Sequence, residues 1–82
     1  MNLPVEWSRP ARKDLRKLDR QVAKRVRDSV HRYAELGLGD AKRLTDVDPP
    51  EYRLRVGSYR ALFAVHEGHL LVLRVLHRKD AY

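Results

Sequence analysis

The residues best suited to chemistry are basic side chains in the second half of the chain, on three short segments of alternating or largely apolar character. Arg53 and Arg55 lie in the first segment, Arg60 in the second and His77 at the end of the third. Guanidinium groups form paired hydrogen bonds with phosphate oxygens, and the imidazole of histidine exchanges a proton near neutral pH. These residue types predict a site that binds an anion and transfers protons.

Two turn signals set the pairing of these segments. Gly57-Ser58 and Glu67-Gly68 are each typical of a two-residue hairpin turn. With such turns, Arg55 lies directly opposite Arg60, and Arg60 faces Val75. The side chains expected to share the face of the sheet that no helix covers are Arg53, Arg55, Arg60 and His77.

Two arginines directly opposite each other repel, so their pairing needs compensation. A bound anion is the simplest compensation, because the guanidinium fork matches its oxygens. The alternative is that each arginine pairs with a nearby acid such as Glu51 or Asp80, which would make the arginines structural.

The elements that position this site follow from the periodicity of apolar residues. Residues 2–7 alternate as a short strand with one buried face. Ser8 and Asp19 are typical N-caps of two helices, the second of which ends at Gly37. Residues 38–50 predict an irregular loop. The predicted fold is α+β, in the order β-α-α-β-β-β, with a mainly antiparallel sheet and an N-terminal helical hairpin packed on one face.

Length and composition limit the class of protein. The 82 residues predict a single domain over residues 1–82, and 43% hydrophobic residues exclude a disordered chain. The absence of cysteine excludes disulfides and a thiolate metal site. His66 and His69 flank a turn without a third ligand, so we expect no metal and no cofactor. No secretory signal and no apolar run of about 20 residues is present, so we expect a cytoplasmic protein without membrane association.

The net charge of +7 is concentrated in one region. Residues 9–32 contain ten basic and three acidic residues, which equals the net charge of the whole chain. Such a segment is a candidate footprint for a polyanion, and the alternative is a solvated helix face. Like-charged pairs four residues apart, such as Arg12 and Arg16, destabilise a helix, which favours a binding role. The residues expected to make these contacts are Arg12, Lys13, Arg16, Lys17 and Arg20.

Three segments resemble the RelE/ParE superfamily of toxins from type II toxin–antitoxin systems. They are Lys42-Arg43-Leu44, residues 52–60 and residues 73–82. The most specific parts are the strand-turn-strand that ends in Tyr59-Arg60 and the closing His-Arg-Lys-Asp-x-Tyr. The resemblance covers essentially the whole chain and fits the predicted order of elements and the basic helices.

The resemblance implies roles for individual residues. Arg60 and Arg78 match family arginines that stabilise the transition-state phosphate, and Tyr82 matches a C-terminal tyrosine linked to base or stacking roles. Arg53 and Arg55 stand where the RelE type has basic residues, often lysine, one of them thought to donate a proton. Arginine does not release its proton. His77 is therefore the best remaining proton carrier. Lys79 is a further residue that we expect to contact RNA.

The resemblance implies one of two activities. The RelE type cleaves messenger RNA on the ribosome by attack of a ribose 2′-hydroxyl on the adjacent phosphate, whereas the ParE type poisons DNA gyrase without cleaving RNA. The terminal tyrosine and the arginine set favour the nuclease, since ParE-type toxins often lack them. A third alternative is a weakened toxin that persists in a repressor complex. The expected partners are a cognate antitoxin, the ribosome and mRNA, with gyrase under the alternative.

Overall fold

The computed structural model describes residues 2–81, so Met1 and Tyr82 lie outside the described residues. The elements are β1 (Val5–Trp7), α1 (Arg9–Arg16), α2 (Arg20–Leu36), β2 (Asp40–Arg43), β3 (Glu51–Val56), β4 (Tyr59–His66) and β5 (His69–His77). The strands form one sheet in the order β1-β5-β4-β3-β2. β1 runs parallel to β5, and the other pairs are antiparallel. The predicted α+β class and the mainly antiparallel sheet are confirmed.

The described chain contains a strand that the sequence analysis missed. Residues 38–50, predicted to be an irregular loop, include β2, in which Asp40 pairs with Arg55 and Lys42 pairs with Arg53. The prediction was wrong because β2 lies at the edge of the sheet and is mostly exposed, so it carries almost no apolar alternation. Its pairing with β3 brings Lys42 beside the predicted anion site.

Both helices begin at the predicted caps. The Ser8 hydroxyl accepts a hydrogen bond from the N–H of Ala11 and donates one to the carbonyl of Leu73 in β5. The Asp19 carboxylate accepts from the N–H of Gln21, and α2 ends at Gly37, whose φ of 71° lies in the left-handed region. The Ser8 bonds therefore begin α1 and tie its start to the sheet.

One face of the sheet is buried against the helices. Val26 and Val30 of α2 and Ala11 of α1 belong to the same apolar cluster as the sheet residues. Phe63 lies at its centre, with ring centroids 5.4 Å from Tyr33 and 5.2 Å from Tyr52. Side chains alternate between the two faces of a strand. The neighbours of these core residues in β3 and β4 therefore point to the opposite face.

The pairing of β4 with β5 contains an irregularity that changes the predicted register. Phe63 pairs with Val72, but Leu62 pairs with Arg74, so Leu73 is an extra residue in β5. Arg60 therefore pairs with Leu76, and the expectation that it faces Val75 was wrong. A bulge has no clear signal in a continuous apolar segment. Counting residue pairs without a break from the turn at Glu67-Gly68 therefore gave Val75 as the partner of Arg60.

Asp14 of α1 holds this part of β5. Its carboxylate accepts hydrogen bonds from the N–H of Val75 at 2.9 Å and from Nε and Nη2 of Arg74 at 2.8 and 3.1 Å. Burial by itself raises the pKa of Asp14, but the hydrogen bonds from Arg74 and Val75 outweigh it, so the pKa lies below its ordinary value of 3.8. The ionised carboxylate thus links α1 to the sheet.

Replacing Asp14 should destabilise the fold. Asp14→Asn keeps the shape but loses the charge that accepts from Arg74, and we expect a loss of about 1.5–3 kcal/mol in the free energy of unfolding, measured in urea. Arg74→Gln should cost less, because Arg74 is half exposed and the bond to Val75 remains. Equal losses in the two variants would contradict an anchoring role for the hydrogen bond between Asp14 and the N–H of Val75.

The contribution of Asp14 should depend on pH. Because the pKa is lowered in the folded state, the stabilisation is fully present above the ordinary value of 3.8 and is lost as pH falls through the lower folded value. The difference in unfolding free energy between the wild type and Asp14→Asn should therefore be constant near neutral pH and shrink in strong acid. A difference that grows on acidification would contradict this assignment.

Candidate functional site

A cationic cleft lies on the open face of the sheet, at the strands farthest from β1. Its volume is about 210 Å³. The lining residues come from three adjacent strands, which are held rigidly by their ladders: Asp40, Lys42, Arg53, Arg55 and Arg60. The cleft is therefore lined by four cationic side chains and one carboxylate.

The ladders determine how these side chains are arranged. Arg55 lies opposite Arg60 across β3 and β4, as predicted, and opposite Asp40 across β2 and β3. Lys42 lies opposite Arg53 in the neighbouring row. Residues paired across a ladder point to the same face, with Cβ atoms about 5 Å apart. The basic side chains thus start from neighbouring positions on one face of the sheet.

Arg60 is buried, with 8% of its surface exposed. Its Nη1 donates to the carbonyl of Gly57 at 3.1 Å and to the carbonyl of Tyr59 at 2.9 Å. These bonds hold the guanidinium beside the turn between β3 and β4 and fix its direction. A preorganised cation of this kind loses little conformational entropy when it binds an anion.

Arg55 is exposed at the rim of the cleft. In the part of the chain that the structure describes, no ion pair joins it to Glu51 or Asp80, the acids expected under the structural alternative. Its nearest carboxylate across the ladder is Asp40, which also faces the cleft. The geometry of Arg55 is therefore that of a group available to a bound anion.

The C-terminal segment folds back to the same region. The N–H of Arg78 donates to the carbonyl of Ser58 at 2.8 Å, at the turn that also holds Arg60. Nη1 of Arg53 lies 3.4 Å from the carbonyl oxygen of Ala81. Arg78 and Lys79 are exposed. Arg60 and Arg78 thus lie at one turn, while the predicted base Tyr82 is outside the described residues.

His77 does not join the cleft. It pairs with Tyr59 on the side of the sheet that the helices cover, and the two rings meet edge to face at 5.4 Å. Its Nδ1 accepts from the N–H of Lys79. The expected shared face with Arg60 was wrong, because the extra residue Leu73 reverses the alternation of the last part of β5.

The basic helical residues lie elsewhere on the molecule. All five are exposed, and their helices cover the face of the sheet opposite the cleft. They are Arg12, Lys13, Arg16, Lys17 and Arg20. The structure therefore brings Arg53, Arg55 and Arg60 together and leaves the helical set on a separate surface.

Lys42 and Asp40 are cleft residues to which the sequence analysis gave no role. Lys42 belongs to a segment that carries the family resemblance, but its position was assigned to a loop, so no face could be predicted for it. Among residues 2–81 no cluster of three or more metal-ligating side chains occurs. No helix in that range is long and apolar enough to cross a membrane.

A family model now accounts for nearly the whole chain. The model for the ParE toxin of the type II toxin–antitoxin system parDE matches residues 5–82. The chain belongs to this toxin family. No curated protein sequence matches the toxin.

Solved structures share the fold of the toxin. The toxin–antitoxin complex RelBE2 from Mycobacterium tuberculosis is 28% identical with a TM-score of 0.81, covering 98% of this chain and 95% of that chain. The RelB–RelE complex from Methanococcus jannaschii is 25% identical with a TM-score of 0.75, covering 94% and 98%. The archaeal RelE–RelB complex from Pyrococcus horikoshii OT3 is 20% identical, with a TM-score of 0.79 and coverage of 99% and 100%. The expected membership of the RelE/ParE superfamily is confirmed.

The cleft should bind a phosphodiester that lacks the neighbouring 2′-hydroxyl, and it should not cleave it. Titration with the deoxydinucleotide TpT should shift the amide resonances of β2, β3 and β4 in a saturable way. Arg55→Ala should weaken this binding about tenfold, the value of one charge-assisted hydrogen bond. Arg43→Ala is the matched control, because Arg43 is exposed but alternates to the other face. Equal weakening by both variants would contradict a site in the cleft.

Proposed function

We propose that the toxin is an mRNA endonuclease that cuts on the ribosome and thereby stops translation. The single observation that supports this most is the set of cations gathered in one cleft, with Arg55 directly opposite the buried Arg60. Several guanidiniums around one site suit the negative charge of a phosphodiester in its transition state.

The proposed reaction is an internal transfer of the phosphoryl group. The ribose 2′-oxygen attacks the adjacent phosphorus, a 2′,3′-cyclic phosphate forms and the bond from phosphorus to the 5′-oxygen breaks. A base takes the proton of the 2′-hydroxyl, and an acid gives a proton to the departing 5′-oxygen. Arg55 and Arg60 stabilise the charge that grows on the non-bridging oxygens. Arg78, at the same turn as Arg60, contributes a further positive charge.

The proton carriers must be groups other than arginine, since arginine keeps its proton. His77 alternates to the helix side, so the proposal gives it no step. Tyr82 remains the base that the family resemblance implies. In the cleft, the carboxylate of Asp40 can accept a proton and the ammonium of Lys42 can donate one, so Lys42 is our candidate for the acid.

The proposed partners are the ribosome, mRNA and a cognate antitoxin, and the proposed location is the cytoplasm. The solved structures from Mycobacterium tuberculosis and Methanococcus jannaschii are antitoxin–toxin complexes. A net charge of +7 favours an antitoxin with acidic segments that cover the arginine cleft. Arg53, which lines the cleft, and Lys79, which is exposed in the C-terminal segment, are assigned to RNA binding. The exposed basic residues of the helices add long-range attraction to RNA.

The second candidate is a toxin that poisons DNA gyrase without cutting RNA. The observation that favours it is the match to the ParE toxin model. This candidate predicts trapped gyrase–DNA complexes and a DNA damage response on induction. It also predicts that toxicity does not depend on a proton-transfer residue, so Tyr82→Phe would leave it unchanged.

Primer extension on translated mRNA after induction should reveal new 5′ ends in the wild type. Arg60→Ala should reduce cutting by about a hundredfold or more, as expected for loss of one transition-state cation. His77→Ala should keep most of the activity, because His77 lies on the other face of the sheet. The two variants are matched, since both alter residues beside the same turn.

The proposal fails if the wild type arrests growth while its transcripts stay intact. Gyrase–DNA complexes in the same cells would then support the second candidate. Thermal unfolding of both purified variants is the control, because Arg60 is buried and its bonds to the turn contribute to stability. A folded but inactive Arg60→Lys variant would assign the loss to the guanidinium fork.

A further inference from the structure

A second cationic groove lies between α1 and β5. Its volume is about 430 Å³. Besides Pro10, its lining residues are four cations and one carboxylate: Arg9, Lys13, Lys17, Arg74 and Asp14. Arg9, Lys13 and Lys17 follow each other at intervals of four residues, so they form one row along α1.

Arg74 is the fixed member of this groove. Its Nε and Nη2 are held by Asp14 at 2.8 and 3.1 Å. The same carboxylate also accepts from the N–H of Val75. Asp14 is therefore fully engaged by Arg74 and the backbone, and Arg9, Lys13 and Lys17 have no ion pair among residues 2–81. The groove holds cations in excess, one of them preorganised.

A cross-strand row connects the groove to the cleft. Lys42, Arg53, Leu62 and Arg74 are successive partners across β2, β3, β4 and β5. Partners in a ladder share a face, so the side chain of Arg74 starts on the open face of the sheet. From there its guanidinium reaches the carboxylate of Asp14. Arg53 and Arg74 are separated by two strand spacings, about 10 Å. A polyanion in the cleft can thus cross Leu62 and continue into the groove.

We propose that the groove of Arg9, Lys13, Lys17 and Arg74 binds the phosphate backbone of RNA as a second site beside the cleft. This inference rests on the proposed function. The RNA is either the strand held in the cleft or ribosomal RNA, since both present the same phosphates. The proposal also divides the basic residues of α1, because Lys13 and Lys17 line the groove whereas Arg16 lines a different surface with Leu15 and Arg20.

The test compares two double variants of the full chain that remove the same charge from the same exposed helix. Lys13→Ala/Lys17→Ala removes two of the four cations of the groove, and Arg12→Ala/Arg16→Ala is the matched control. Binding to a long single-stranded RNA oligonucleotide is measured by fluorescence anisotropy over a series of salt concentrations. Each lost phosphate contact lowers the salt slope by about 0.7, so the lysine variant should lose about 1.4. The arginine variant should change clearly less.

A dinucleotide serves as a length control. It is too short to reach from the cleft to the groove, so both double variants should bind it like the wild type. Thermal unfolding should show that both variants are folded, since all four side chains are exposed. A lysine variant that binds the long RNA with the same salt slope as the arginine variant would overturn the proposal for the strand in the cleft.

Vacant ribosomes distinguish the two sources of RNA. Weaker co-sedimentation of the lysine variant with vacant ribosomes, together with normal oligonucleotide binding, assigns the groove to ribosomal RNA. Equal behaviour of the two double variants in both assays overturns the second site. The outcome is separable from the proposed function. If the wild type binds RNA through these lysines but cuts no mRNA, the second RNA site stands and the nuclease proposal fails.

Discussion

Arg55 and Arg60 lie opposite each other across the ladder of β3 and β4, and the core on the other face of the sheet fixes them there. Their side chains cannot move to the other face, because Leu54 and Ala61, their neighbours in the same strands, are buried against the helices. A slip of one residue would bury the arginines and expose the core. The burial of one face of the sheet therefore imposes the charge cluster on the other.

The same sheet connects α1 to the cationic face. Asp14 holds Arg74 and the N–H of Val75 just beyond the bulge at Leu73, in the stretch of β5 that β1 does not cover. The bulge has two effects. It turns His77 towards the helix side, and it leaves Arg74 in the row that leads back to Arg53. One extra residue thus determines which basic and titratable groups share the open face.

Much of this arrangement follows from local signals in the sequence. The caps at Ser8 and Asp19, the turn at Gly57-Ser58 and the pairing of Arg55 with Arg60 were predicted correctly, because each depends on a few adjacent residues. β2 was missed because an exposed edge strand needs no apolar alternation. The bulge at Leu73 was missed because the side chains that contact it, those of Asp14 and Ser8, are distant in the sequence. Without β2, the place of Lys42 in the cleft could not be predicted, and without the bulge, His77 was assigned to the wrong face.

In the proposed reaction the cleft cations act on one phosphodiester that a neighbouring 2′-hydroxyl attacks. Cleavage mapping in a translation extract, on an mRNA with a single 2′-deoxynucleotide placed at the cut site, tests this step. Cutting should disappear there, while a 2′-deoxynucleotide one position away should leave it intact and the product should end in a 2′,3′-cyclic phosphate. Undiminished cutting at the deoxy site would exclude attack by the 2′-hydroxyl.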